Sequence, residues 1–181
     1  MNTTILISGF GGQGVLSMGK ILAYGALMEG KQVTWMPAYG PEQRGGTANV
    51  TVIVGDERIA SPIQSTFDVV VALNQPSVNM FQSKVKPGGL LIYEKDGVND
   101  APTRNDISIY KIDAIDRAAA MNNPKVFNMV VLGALLKASP IISTDGLQRS
   151  LTKSLPERYH HLIPANMEAV KEGAQAISAN S

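Results

Sequence analysis

The stretch from Thr4 to Gly30 constrains the fold more than any other part of the chain. Thr4-Ile5-Leu6-Ile7 is a short apolar run that reads as a buried strand, and Gly9 to Gly14 follow as a glycine-rich turn. Val15, Met18, Leu22, Ala26 and Glu29 then recur at helical spacing, up to a stop at Gly30. Val33-Thr34-Trp35-Met36 reads as a second strand. A strand–helix–strand opening implies parallel strands joined by a right-handed crossover.

The rest of the chain extends this pattern. Residues 47–54 are rich in β-branched side chains with Val50, Val52 and Val54 alternating, and Gly55-Asp56 is expected to turn the chain so that Arg58-Ile59 return antiparallel. Val69-Val70-Val71-Ala72-Leu73 is a continuous apolar strand of the kind found where a sheet is covered on both faces. Pro76 begins a helix, Pro87-Gly88-Gly89 closes the next connection, and residues 90–93 and 107–112 read as further strands flanking a polar loop at 97–106. Four helices are expected at 114–121, 126–137, 145–155 and 165–177. Ser143 or Thr144 is expected to cap the third of them, and Pro164 to open the last. The expected fold is α/β: a three-layer, mostly parallel sheet with a mixed antiparallel hairpin edge and a helical C-terminal third, forming a single domain over residues 1–181.

Gly9-Phe10-Gly11-Gly12-Gln13-Gly14 satisfies G-x-G-x-x-G after a strand and at the start of a helix, where backbone can approach a phosphate closely and the helix N-terminus favours an anion. A nicotinamide dinucleotide also calls for an acid at the end of the second strand, and Trp35-Met36-Pro37 supplies none. A more general phosphate site remains open, as does a turn that serves only tight helix–sheet packing. The run Gly14-Val15-Leu16-Ser17-Met18-Gly19-Lys20 spells G-x-x-x-x-G-K. Ile21 follows where magnesium coordination wants Ser or Thr, and the spacing puts Gly19-Lys20 inside the helix, so Lys20 reads as a solvated charge.

Pro37-Ala38-Tyr39-Gly40-Pro41-Glu42-Gln43-Arg44-Gly45-Gly46 is half Gly and Pro, which bars both a helix and a central strand. It also carries Tyr39, Glu42 and Arg44, with the only tryptophan, Trp35, just before it. Such a loop is suited to hold a ligand or partner; an internal Glu42–Arg44 pair closing a tight turn is the plainer alternative. Asn74-Gln75 sit at the carboxyl end of the most buried strand, placed either to read a ligand or to cap the helix after Pro76. Asn128 is polar within an otherwise apolar helix, and it meets the glycine-turn backbone or lies at an exposed or subunit-facing position.

Composition narrows the chemistry. The chain has no cysteine, which removes thiolate ligation of an iron–sulfur cluster, disulfides and a thiol nucleophile. Its two histidines, His160 and His161, are adjacent without nearby carboxylates, a poor metal site. Sixteen basic against fifteen acidic side chains give a net charge of +1, with no electrostatic footprint for nucleic acid or an anionic membrane. No basic region precedes the first apolar run and no apolar stretch approaches a membrane span, so a cytoplasmic protein is expected. No Ser/His/acid trio or paired-carboxylate motif stands out, which places any catalytic chemistry on another chain.

These residues carry a resemblance. The glycine turn, then Tyr39-Gly40-Pro41-Glu42-Gln43-Arg44-Gly45-Gly46-Thr47-Ala48, then Ser61-Pro62-Ile63, then Ala72-Leu73-Asn74-Gln75-Pro76-Ser77, and Asn128 before Gly133-Ala134-Leu135, resemble in that order the gamma subunit of 2-oxoacid:ferredoxin oxidoreductases. The Asn-Gln-Pro-Ser form looks most like the 2-oxoglutarate or branched-chain types; Gln43 stands where many relatives carry Met. The resemblance implies a non-cluster subunit of a heterotetrameric enzyme that decarboxylates a 2-oxoacid on thiamine diphosphate, reduces ferredoxin and passes the acyl group to coenzyme A. It implies alpha, beta and ferredoxin-like delta partners, with thiamine diphosphate and magnesium between alpha and beta and 4Fe-4S clusters in beta and delta. For this chain it implies a turn of Gly9, Gly11, Gly12, Gln13 and Gly14, with Asn74 and Asn128, facing coenzyme A. It also implies a loop of Tyr39, Glu42, Arg44, Gly45 and Gly46 facing the partners or active site. A purely structural assembly subunit, a pyruvate or indolepyruvate enzyme subunit, and a stand-alone dinucleotide-binding protein are the alternatives. In the last case NADH would bind without partners. Trp35, Met36 and Tyr39 are expected to form an exposed apolar patch that favours self-association when partners are missing.

Overall fold

The computed structural model describes residues 1–39 and 46–178. Six strands form one sheet: β1 (Asn2–Phe10), β2 (Gln32–Tyr39), β3 (Thr47–Gly55), β4 (Phe67–Ala72), β5 (Val85–Glu94) and β6 (Ser108–Ile112), in the spatial order β2-β3-β1-β4-β5-β6. The pairs β1–β4, β4–β5 and β5–β6 are parallel, while β3 runs antiparallel to both β1 and β2. The helices are α1 (Val15–Met28), α2 (Gln75–Phe81), α3 (Ala114–Ala120), α4 (Phe127–Ala138), α5 (Thr144–Ser154) and α6 (Ile163–Ser178).

The side-chain period of a strand sorts the core into two layers. Ile5, Ile7, Val50, Val52, Val54, Val71 and Ile92 point to the face covered by α1, α3, α4, α5 and α6. Leu6, Val70, Ala72, Leu91 and Tyr93 point the other way, where α2 supplies Val78 and Phe81. The sheet thus lies between a thick helical layer and a thin one. α1 buries Val15, Met18, Leu22 and Ala26, the positions its periodicity marks.

The hairpin edge is formed by different strands from those expected. Arg58 and Ile59 form no strand; the antiparallel partners of β3 are β2 on one side and β1 on the other. Val52 pairs with Ile5 and with Trp35, so β3 has no free edge for a returning strand to occupy. The opening is consequently not a simple β-α-β unit with adjacent strands, because β3 is inserted between β1 and β2. Pro87-Gly88-Gly89 also lie within β5 rather than in the connection before it. They form an irregular step opposite the register shift between Phe67 and Val69, with Gly88 at φ 77°.

Among the C-terminal helices, Ser143 caps α5 by accepting from the Gly146 N–H at 3.0 Å, and its own hydroxyl donates to Glu29 at the end of α1. α4 and α6 cross so closely that a methyl group on Gly133 would lie 2.0 Å from the Val170 carbonyl oxygen. A methyl on Gly173 would lie 1.8 Å from the Val130 carbonyl oxygen. No helix among the described residues is long and apolar enough to cross a membrane.

Candidate functional site

The glycine turn leaves the carboxyl end of β1 and enters α1, at the edge of the sheet where ligands of α/β proteins gather. Its shape is fixed by its own bonds. The Gln13 side-chain oxygen accepts from the Phe10 N–H at 2.6 Å, and the Gln13 N–H donates to the Phe10 carbonyl at 3.2 Å. The Gly11 N–H donates to the Gly46 carbonyl at 2.9 Å, tying the turn to the residue before β3. Gly12 and Gly14 take φ of 93° and 77°, a left-handed backbone that other residues adopt only with strain.

Gly14 is the N-cap of α1, and no side chain among the described residues caps that helix end. No acidic residue stands in its first turn. The first N–H groups of a helix have no partner within it and carry a partial positive charge. α2 and α5 differ, since Asn74 and Ser143 cap them.

A cavity of about 400 Å³ opens beside the turn, lined by Gly12, Gln13 and Gly14, by Ile115 and Ala118 of α3, and by Pro124, Lys125, Phe127 and Asn128 where the chain enters α4. Asn128 is half-buried, and its side-chain nitrogen lies 2.8 Å from the point a Cβ on Gly14 would occupy. Among the described residues, Lys125 is the only charged side chain in the lining. Ile115, Pro124 and Phe127 make an apolar wall. The cavity therefore combines open backbone, two amides, one cation and an apolar surface, a set that suits a phosphate ester attached to an apolar or aromatic body.

The α3 wall is held from beneath by Glu94 at the end of β5. This carboxylate is fully buried and accepts from the Ala114 N–H at 2.8 Å and the Asp96 N–H at 3.3 Å. Burial pushes its pKa up to about 6, and the nearby Asp96 charge adds to the rise while the backbone N–H groups oppose it. Outside the cavity the α3 charges are engaged: Arg117 with Asp113 and Glu172, and Lys95 with Asp116.

The structure brings Gly12, Gln13, Gly14 and Asn128 together in one cavity. Gly9 is the last residue but one of β1, where an added Cβ would lie 2.5 Å from the Gln13 side-chain oxygen; neither it nor Gly11 lines the cavity. Asn74 lies apart as the cap of α2, accepting from the Ser77 N–H at 2.9 Å, with its amide nitrogen buried and without a partner among the described residues. Tyr39 is 75% exposed at the end of the edge strand β2. Trp35, 41% exposed, shares its face, while the alternation turns Met36 to the opposite face, so the three do not form one patch. Glu42, Arg44 and Gly45, with Gln43, lie outside the described residues. Gly19 is buried against Val50 within α1 and Lys20 is exposed over the Tyr24 ring, so the G-x-x-x-x-G-K run forms no phosphate loop. The His160 ring bonds the Leu155 carbonyl.

Lys125, Ile115, Ala118, Pro124 and Phe127 are the lining residues that the sequence did not reveal. More than a hundred positions separate the glycine turn from Lys125, and only the Pro-Lys step before an apolar helix marks the latter in the chain.

Comparison with known proteins places this fold. Residues 4–176 match the family model described as pyruvate ferredoxin/flavodoxin oxidoreductase. The ketoisovalerate oxidoreductase subunit VorA of Methanothermobacter thermautotrophicus is 36% identical over 176 residues, covering 97% of this chain and 36% of that protein. The gamma subunit of a keto/oxoacid ferredoxin oxidoreductase from Geobacter sulfurreducens superposes with a TM-score of 0.85 at 28% identity, over 99% of this chain and 98% of that one. A 2-oxoglutarate:ferredoxin oxidoreductase from Magnetococcus marinus, solved with 2-oxoglutarate, coenzyme A and succinyl-CoA bound, superposes with a TM-score of 0.88 at 27% identity. That match covers 98% of this chain and 31% of the Magnetococcus chain. The chain thus spans about a third of the VorA and Magnetococcus chains and nearly the whole of the Geobacter subunit.

Proposed function

The chain belongs to the pyruvate ferredoxin/flavodoxin oxidoreductase family, and from that membership we propose that it is the gamma-type subunit of a cytoplasmic, multi-subunit 2-oxoacid:ferredoxin oxidoreductase. The enzyme converts a 2-oxoacid and coenzyme A to acyl-CoA and CO2 while reducing ferredoxin. Alpha, beta and delta subunits complete it, and thiamine diphosphate, magnesium and the 4Fe-4S clusters reside on those partners. A chain without cysteine cannot ligate a cluster through thiolates, which supports that division.

The observation that carries this chain's own role is the cavity at the glycine turn. Bound there, coenzyme A would bring the thiol that takes up the acyl group. The Gly12–Gly14 backbone and the uncapped start of α1 receive a phosphate of the coenzyme, and Asn128 holds the turn in shape. The segment between Tyr39 and Gly46, including Glu42, Arg44 and Gly45, docks on the alpha/beta core, where the planar Arg44 fork meets a carboxylate or phosphate.

2-Oxoglutarate is the proposed substrate. A branched-chain 2-oxoacid is the second reading, favoured by the identity to the ketoisovalerate subunit. Native purification of the tagged chain from its own cells tests the whole proposal. Recovery of thiamine- and cluster-carrying partners with coenzyme-A-dependent 2-oxoacid oxidation is expected, and the preferred 2-oxoacid names the substrate. A partner-free monomer or homodimer without that activity would overturn it.

A further inference from the structure

We propose that Lys125 is the specificity-determining residue of the cavity and contacts a phosphate group of coenzyme A; the inference rests on the functional reading above and names the residue that selects the ligand's charge. Three observations carry it. Among the described residues, Lys125 is the only charged side chain in the lining, and no carboxylate among them shares the cavity to neutralise it. The neighbouring cations are already committed: Arg117 donates to Asp113 at 2.7 Å and to Glu172 at 3.2 Å, and Lys95 pairs with Asp116. Pro124 and Val126 hold Lys125 within a short 3-10 turn that leads into α4, so its backbone is placed by regular structure.

The opposite wall fits this assignment. Among the described residues, nothing lies within 4 Å of the position a Cβ on Gly12 would take, which leaves the turn backbone open to a ligand. Ile115, Pro124 and Phe127 offer an apolar surface to a heteroaromatic base. A lysine recognises phosphate as a point charge and sets no strict geometry, so an arginine at this position should preserve binding while a glutamate should repel it.

The test is steady-state kinetics on the assembled wild-type, Lys125→Ala, Lys125→Arg and Lys125→Glu enzymes with coenzyme A varied. A charge-assisted contact predicts a KM for coenzyme A raised roughly tenfold in Lys125→Ala, with kcat and the KM for the 2-oxoacid unchanged. Lys125→Arg should stay near wild type and Lys125→Glu should be weakest. Dephospho-coenzyme A identifies the group. A contact to the 3′-phosphate makes wild type and Lys125→Ala equal on that analogue, while a contact to the pyrophosphate keeps them apart. A Lys125→Glu enzyme with an unchanged KM for coenzyme A overturns the assignment while leaving the subunit reading intact. A wild-type complex whose activity needs no coenzyme A overturns both.

Discussion

The Asn128 side chain fills the space that a side chain on Gly14 would need, its nitrogen 2.8 Å and its Cβ 2.9 Å from that point. Two separate penalties therefore meet at Gly14→Ala. The left-handed φ of 77° costs about 1–2 kcal/mol for a residue with a Cβ, and the contact with Asn128 adds overpacking of about 1 kcal/mol or more. Thermal unfolding should show Gly14→Ala clearly less stable than wild type. Asn128→Ala removes the amide but keeps the Cβ, so Gly14→Ala should cost less in that background than in wild type, with the backbone part and the Cβ contact remaining. An equal cost of Gly14→Ala in both backgrounds would mean that the Asn128 amide does not press on the turn.

The α4–α6 crossing should tolerate no methyl group. Alanine in place of glycine improves helix propensity by about 1 kcal/mol. At Gly133 and Gly173, however, the new carbon would meet backbone carbonyls at 2.0 Å and 1.8 Å, which no rotamer change can relieve. Separating packed helices costs about 1–3 kcal/mol or more, so each substitution should lower the urea midpoint. An unchanged midpoint would show that the two helices have room to spare at their crossing.

Glu94 should make stability depend on pH in an unusual direction. Its folded pKa of about 6 lies above the ordinary 4.5, so the folded state holds this proton more tightly than the unfolded state. The favourable contribution is complete below about pH 4.5 and is lost as pH rises through 6. The loss amounts to about 2 kcal/mol at full ionisation. Glu94→Gln keeps an acceptor for the Ala114 N–H and carries no charge. Its stability relative to wild type should therefore increase between pH 5 and pH 8. A constant difference across that range would exclude proton linkage at this site.

Arg44→Ala should abolish activity or release the chain from its partners. Size-exclusion chromatography of the co-purified enzyme separates the two effects, and an intact, fully active complex would sink the docking role.

Much of this architecture is legible in the residues because it rests on local signals. The apolar run at Ile5-Leu6-Ile7, the period-3.6 pattern through Val15, Met18 and Leu22, and Ser143 before α5 each announce their element within a few positions. Sheet order is different. Whether residues 47–55 pair with later or with earlier strands depends on which edges are open once the chain is compact, and Val52 finds both neighbours upstream. The glycine turn and Asn128 were legible as local anomalies, a strained motif and a polar residue in an apolar helix. Lys125 carries no such mark: exposed lysines before helices are commonplace, and only the fold sets this one opposite the turn.

The bond from the Gly11 N–H to the Gly46 carbonyl has a practical consequence. Because β3 runs backwards, the start of that strand closes on the glycine turn, and this amide is shielded only while the two stay together. Its hydrogen-exchange rate is thus a built-in gauge. One backbone resonance reports whether Gly46 stays bonded to the turn, before any partner or coenzyme is added and again after each.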